Sequence, residues 1–261
     1  MIVWHSGAVI SRSRLPLTLL AAAALATGCA TTPAAAPTDA APTGATTSAA
    51  TTTPTTATTS GDTAAPAGTV TCTYLPSGSP ARAVDLPDGQ AVPASGTSTV
   101  TLSLGGQPLT LTLDRAAAPC AVASFESLAA QGYYEGTSCH RLVTQGIFVL
   151  QCGDPSGTGR GGPGYTFADE LDAIPRDAAG YGEYTAGTLA MANAGANTNG
   201  SQFFIVYEDS TLPPAYTIFG HLDQASVDVV ANIAEQGHDA ARGAGDGVPN
   251  APTEITSVVS G

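Results

Sequence analysis

Lysine is absent from all 261 residues: the eight basic residues are arginine, against 21 acidic ones, for a formal net charge of -13. A chain this acidic has no basic stripe with which to neutralise phosphates, so nucleic acid is not an expected partner. The same lack excludes a phosphate-binding Walker loop, which requires a lysine. Aromatics make up 6% of the composition, and the single tryptophan is Trp4. The apolar run from Leu15 to Leu25 falls short of the ~20 residues that a helix needs to cross a bilayer. No C-x-x-C pair occurs, and only Cys139 has a histidine beside it, His140, so no metal site is expected. Neighbours on a strand face opposite sides, which argues against a Cys139/His140 dyad. Gly157, Gly159 and Gly162 have dinucleotide-loop spacing, but Pro163-Gly164 follows and no helix opens to receive a pyrophosphate. No cofactor is expected.

What the N-terminus does contain reads as an export signal over residues 1–29: Arg12 and Arg14, the apolar run, then Ala26-Thr27-Gly28-Cys29. A cysteine behind small residues at that point resembles a lipobox, which makes Cys29 the expected lipidation site. The outer face of the bacterial cytoplasmic membrane is the expected location. Residues 30–69 are almost wholly Ala, Thr, Pro, Ser and Gly, with Asp39 and Asp62 the only charges. Such a segment cannot bury enough apolar surface to offset its ordering entropy and is expected to be a disordered tether. Membrane association is expected through the lipid alone.

From Val70 onward turn residues punctuate short apolar segments. Val100, Leu102 and Leu104 alternate with polar residues, as do Leu109, Leu111 and Leu113 beyond Gly105-Gly106-Gln107-Pro108, which predicts a hairpin. Pro119 opens a helix with Val122, Phe125, Leu128 and Ala129 on one face and Gly132 at its close. A second helix is predicted over Ala225 to Gln236. Strand-like runs cover Thr137 to Val143, Ile147 to Cys152, Thr188 to Ala192, Gln202 to Val206, Thr217 to Leu222 and Glu254 to Val259. The pattern predicts a mainly β fold: a closed eight-stranded antiparallel barrel capped by two α-helices. Residues 70–97 are expected to be an N-terminal extension and 98–261 the domain proper, a division implied by the resemblance of the stretch from Ser98 onward to a known family.

Met191 to Phe204 reads MANAGANTNGSQFF, and this string resembles the signature of the cyclophilins, the peptidyl-prolyl cis/trans isomerases. Thr137 to Arg141 with Leu150 to Asp154, and Tyr216 to Gly220, resemble two further blocks of that family in the same order; the resemblance runs from Ser98 to Ser260. It implies an eight-stranded barrel with two helices and an enzyme that turns X-Pro bonds in proline-containing polypeptides, aiding the folding of exported proteins as a monomer without cofactor. It also implies roles. Arg141 is the catalytic cation; Phe148, Val149, Phe204 and Leu212 grip the proline; Gln151, Ala192, Asn193, Ala194 and Gln202 bind substrate backbone. Tyr216 stands where the family often has histidine, Val149 where methionine is commoner, and Thr211 where some members carry tryptophan. The turn Thr144 to Ile147 is longer than usual, so Phe148 is an alignment choice. A binding module that holds proline segments without turnover is the alternative, and the retention of Arg141 beside an apolar pocket favours the enzyme.

Setting Cys29 aside from the five cysteines leaves Cys72, Cys120, Cys139 and Cys152, which in an exported protein are expected to form two disulfides. Three pairings are open. Counting by twos along a hairpin places Cys139 on the side of Arg141 and Gln151 and Cys152 on the other, which argues against a Cys139–Cys152 bond. Cys72 is expected to pair with one of the other three.

Overall fold

The computed structural model describes residues 68–261; the leader over 1–29, Cys29 and the tether up to residue 67 lie outside them. In chain order the first strands are β1 (Thr69–Val70), β2 (Leu75–Pro76), β3 (Val92–Pro93), β4 (Thr97–Leu104) and β5 (Gln107–Asp114), followed by α1 (Pro119–Ala130). Next come β6 (Thr137–Ser138), β7 (Arg141–Gln145), β8 (Ile147–Cys152), β9 (Tyr165–Thr166), β10 (Gly182–Tyr184) and β11 (Thr188–Met191). The chain continues through β12 (Phe203–Glu208), β13 (Ser210–Leu212), β14 (Ile218–Leu222), α2 (Gln224–Glu235), β15 (Asp246–Gly247) and β16 (Glu254–Ser260).

The hairpin of β4 and β5 forms as its alternation predicts. Leu104 pairs with Gln107 across Gly105-Gly106, whose φ values of 56° and 80° are those a two-residue turn of this hand demands and glycine supplies without strain. The alternating Val100, Leu102, Leu104, Leu109, Leu111 and Leu113 are all buried. Pro119 starts α1, where its missing N–H costs nothing, and Asp223 caps α2 by accepting from the Ser226 N–H.

The sheet is not a closed eight-stranded barrel. Ten strands share one curled sheet in the order β15-β7-β8-β12-β11-β14-β5-β4-β16-β6. The segment expected to be one strand over Thr137 to Val143 is split: β6 pairs with β16 and β7 with β8, and Cys139-His140 between them belongs to neither. The two ends of the sheet thus approach through two residues of continuous chain rather than through a ladder, and β15 adds a further strand outside β7.

The sheet separates two apolar clusters. The larger packs α1 and α2 against one face and contains Phe125, Tyr134, Phe203 and Phe219. The smaller lies on the other face and contains Val143, Val149, Phe204, Val206 and Leu212. Adjacent Phe203 and Phe204 divide between them, as the pleat of β12 requires. Each buried side chain of this size contributes roughly 1.5–3 kcal/mol.

The disulfides are Cys72–Cys120 and Cys139–Cys152. The second corrects the expectation from strand sides. The ladder of β7 with β8 ends at the Arg141–Gln151 pair, and Cys139 lies in the break beyond it, its N–H turned to the carbonyl of Thr253. The two-residue period does not continue through that break, so Cys139 is free to turn toward Cys152.

Candidate active site

The site is a row across four strands. Arg141 opens β7 opposite Gln151 on β8, Gln151 lies opposite Phe204 on β12, and Phe204 opposite Ala190 on β11. Residues directly opposite share a face, so this row presents a cation, an amide and an aromatic ring side by side. The next row, Val143, Val149 and Val206, supplies apolar floor. Tyr216 closes one side, its ring edge-on to Phe204 at 5.6 Å between centroids. Tyr184 buttresses both rings and donates from its hydroxyl to the Tyr216 carbonyl at 3.0 Å.

The polar groups form a directed chain. Arg141 donates from Nε and Nη2 to the Asp246 carboxylate at 3.0 and 2.7 Å, and from Nη1 to Gln151 Oε1 at 3.3 Å. Gln151 Nε2 donates to Gln202 Oε1 at 2.9 Å, and Gln202 Nε2 donates to the Gly161 carbonyl at 2.8 Å. Each amide takes its orientation from the arginine end, because a guanidinium can only donate. One N–H on each terminal nitrogen of Arg141 remains for a ligand.

Two cavities meet along this chain. The smaller, about 140 Å³, is lined by Arg141, Val149, Gln151, Ala192, Asn193, Phe204, Leu212 and Tyr216, all of which the sequence nominates, and by Ile147. It has room for one small ring and little more. The adjoining cavity, about 550 Å³, shares Gln151, Ala192 and Asn193 and includes Ala194 and Gln202. Phe148 is not brought to either. Its ring packs on Tyr207 at 6.0 Å and its N–H donates to the Ser210 hydroxyl, because on β8 the residues sharing the face of Gln151 are Val149 and Ile147. Stepping back by twos from Gln151 finds Ile147. Asp246 has no comparable signal: it sits in a Gly-rich stretch, 105 residues from Arg141.

Around the site the loop after β8 is organised by one carboxylate. Asp154 accepts from the N–H groups of Ser156, Gly159 and Gly161 and from the hydroxyl of Ser156. Burial alone pushes its pKa up, but the Ser156 hydroxyl and these N–H groups more than offset that and hold it below the usual carboxylate range. His140, 3% exposed, lies behind the row and makes no hydrogen bond of regular geometry at either ring nitrogen. Burial pushes its pKa below the usual histidine value, against the pull of nearby Asp154.

The sequence pattern of the family described as "Cyclophilin type peptidyl-prolyl cis-trans isomerase/CLD" matches residues 99–260. A probable peptidyl-prolyl cis-trans isomerase B of Mycobacterium tuberculosis is 45% identical over 196 residues, 72% of this chain and 63% of that protein. Its counterpart from Mycobacterium leprae is 44% identical over 195 residues, 72% of this chain and 65% of that one. The chain therefore spans less than two thirds of the length of these relatives. The crystal structure of a cyclophilin type peptidyl-prolyl cis-trans isomerase from Cryptosporidium parvum superposes with a TM-score of 0.51 at 30% identity, covering 64% of this chain and 98% of that one.

Proposed function

The chain belongs to the cyclophilin-type peptidyl-prolyl cis-trans isomerase family, and from that premise we propose that it isomerises X-Pro bonds in proline-containing polypeptides with Arg141 as its catalytic residue. The barrier to rotation, ~18–20 kcal/mol, is the loss of amide resonance. A catalyst lowers it by favouring the twisted amide, which needs no bond to be made or broken. The cavity formed by Ile147, Val149, Phe204, Leu212 and Tyr216 holds the proline ring while the rest of the chain turns. Arg141, on its rim, donates toward the prolyl amide, where charge builds up on the nitrogen as resonance is lost. Asp246 is the positioning residue: it holds the guanidinium at Nε and Nη2 and leaves one N–H on each terminal nitrogen for the substrate. The main chain of Ala192 to Ala194 runs beside Gln151 along the rim shared by the two cavities and orients the flanking peptide.

The observation that carries this reading is a permanently charged guanidinium, clamped by Asp246, at the mouth of an apolar cavity sized for one ring. The export signal, the lipobox-like Cys29 and the two disulfides support an exported, lipid-anchored protein acting on other exported chains, because disulfides persist where the surroundings are oxidising. The test is acceleration of cis-to-trans relaxation in Ala-Pro peptides by the purified protein. A folded protein that leaves the rate unchanged would leave only the binding module.

A further inference from the structure

Arg141 stands at a seam of the sheet. It is the first residue of β7, and the ladder to β8 ends at its pair with Gln151. On the outer side β15 pairs only with Leu142 and Val143, so among the described residues no strand flanks Arg141 there. The chain leading into it, Cys139-His140, belongs to neither ladder, and before that Thr137 and Ser138 are held by β16. At the break the His140 N–H still reaches the Gln151 carbonyl at 3.1 Å, but the Cys139 N–H turns to that of Thr253. The end of a ladder opens more readily than its middle. Left to those hydrogen bonds, Arg141 would drift relative to a cavity built on the neighbouring strands.

A covalent bond opposes that drift. Cys139, two residues ahead of Arg141, is joined to Cys152, the residue after Gln151. Both cysteines belong to the main core, and Cys152 lies opposite Phe203. The bond therefore passes beneath the row and leaves the groove side to Arg141 and Gln151. It closes a loop carrying Arg141, Ile147, Val149 and Gln151, four of the nine residues that line the small cavity. Flanked by β7 and β12, β8 is the anchored partner, and the disulfide passes its rigidity to the start of β7. The second disulfide does something else. Cys72–Cys120 fastens the extension ahead of β4, whose Ser77 and Ala81 N–H groups donate to the Gly164 and Gly162 carbonyls, and none of these residues lines the small cavity.

We propose that the Cys139–Cys152 bond is a positioning element of the reaction: it holds Arg141 and Gln151 in register with the proline cavity, and the enzyme reaches its full rate only once the bond has formed. This rests on the isomerase reading. Forming the bond takes two electrons and two protons from the two thiols; a disulfide oxidant such as oxidised glutathione accepts them and leaves as two thiols. The chain thus matures as a catalyst where its surroundings are oxidising.

The experiment uses the full chain carrying Cys29→Ala, so that no fifth thiol competes. Isomerisation of an Ala-Pro peptide is followed by NMR exchange, which needs no coupled protease. Cys139→Ser with Cys152→Ser, and the matching alanine pair, which buries no hydroxyl, are each expected to lower kcat about five- to tenfold with KM within about twofold of wild type. Cys72→Ser with Cys120→Ser is expected to lose more melting temperature and to keep its kcat. In that last background one disulfide remains. Protein refolded with dithiothreitol is expected to show the low kcat, oxidised glutathione to restore it, and the Arg141 Nε–H, which is bound to Asp246, to exchange faster with water in the reduced form. An unchanged kcat in either folded pair, an equal loss of kcat from both disulfides, or a reduced protein as fast as its oxidised form overturns the inference and leaves the isomerase reading intact. No turnover by the oxidised protein with all four cysteines overturns both.

Discussion

Asp246 grips Arg141 by two nitrogens, Nε at 3.0 Å and Nη2 at 2.7 Å, from a two-residue strand that adds to the outer edge of β7. The pair is part-exposed, with side-chain exposures of 23% and 33% respectively. Its value to stability is accordingly small. In the proposed isomerisation its contribution is one of direction, since an arginine tethered at one atom could rotate about the bond.

Arg141→Ala and Arg141→Lys are each expected to lower kcat/KM by more than tenfold, about 1.4 kcal/mol or more. Lysine keeps the charge but not the fork. Asp246→Asn leaves the charge of Arg141 and loosens its aim, so kcat is expected to fall while KM stays near the wild-type value. A variant that loses thermal stability and KM but keeps kcat would make Asp246 merely structural.

Ile147 and Phe148 can be told apart by the same assay. Ile147→Ala removes part of the cavity wall and is expected to raise KM about three- to tenfold. Phe148→Ala strips a ring from Tyr207 and is expected to lower the melting temperature with KM unchanged. The opposite pattern would restore Phe148 to the proline pocket.

Alkylation under denaturing, non-reducing conditions is expected to find no free thiol at Cys72, Cys120, Cys139 or Cys152, and peptide mapping is expected to join Cys72 to Cys120 and Cys139 to Cys152. The loops closed span 48 and 13 residues. Chain entropy assigns such loops about 4 and about 3 kcal/mol of stabilisation. Cys72→Ser with Cys120→Ser is therefore expected to cost more in melting temperature than the other pair. A larger loss from Cys139→Ser with Cys152→Ser would contradict that ordering.

Asp154 supplies a pH dependence of known sign. Its folded pKa is depressed, and that of an unfolded aspartate lies near 3.9. Its contribution is thus complete above that value and is lost as pH falls through the lower folded pKa. Wild-type protein is expected to keep slow amide exchange at Gly159 and Gly161 at about pH 5 and to lose it in stronger acid. Asp154→Asn is expected to exchange fast at both pH values. Slow exchange in that variant would mean the loop does not depend on the carboxylate.

Cys29→Ala is expected to release the protein from membranes into the soluble fraction. Unchanged membrane association would point to another anchor.

Much of the fold was legible wherever a period repeated. Alternating Val and Leu residues across Gly105-Gly106 announced the hairpin, and Pro119 with Gly132 bracketed α1. The composition of Thr137 to Val143 is that of one continuous strand; the break at Cys139-His140 comes from β16 and β8 claiming the two halves. Arg141, Gln151, Gln202 and Phe204 came from resemblance to a family string, and most of that set does line the small cavity. Asp246 was invisible because a contact between distant segments leaves no local mark. The docking of Ser77 to Ala81 on Gly162 and Gly164 was invisible because strands of two residues are too short to show alternation.

Phe203 and Phe204 carry the last consequence. One ring sits in the main core against Phe125 and Tyr134, and its neighbour lines the cavity beside Arg141. Moving β12 by one residue would put Phe204 into the core and Phe203 into the groove. Every residue after the shift would also lose its partner on β8. A single residue inserted or deleted within β12 would therefore displace the aromatic core and the cavity lining in the same step.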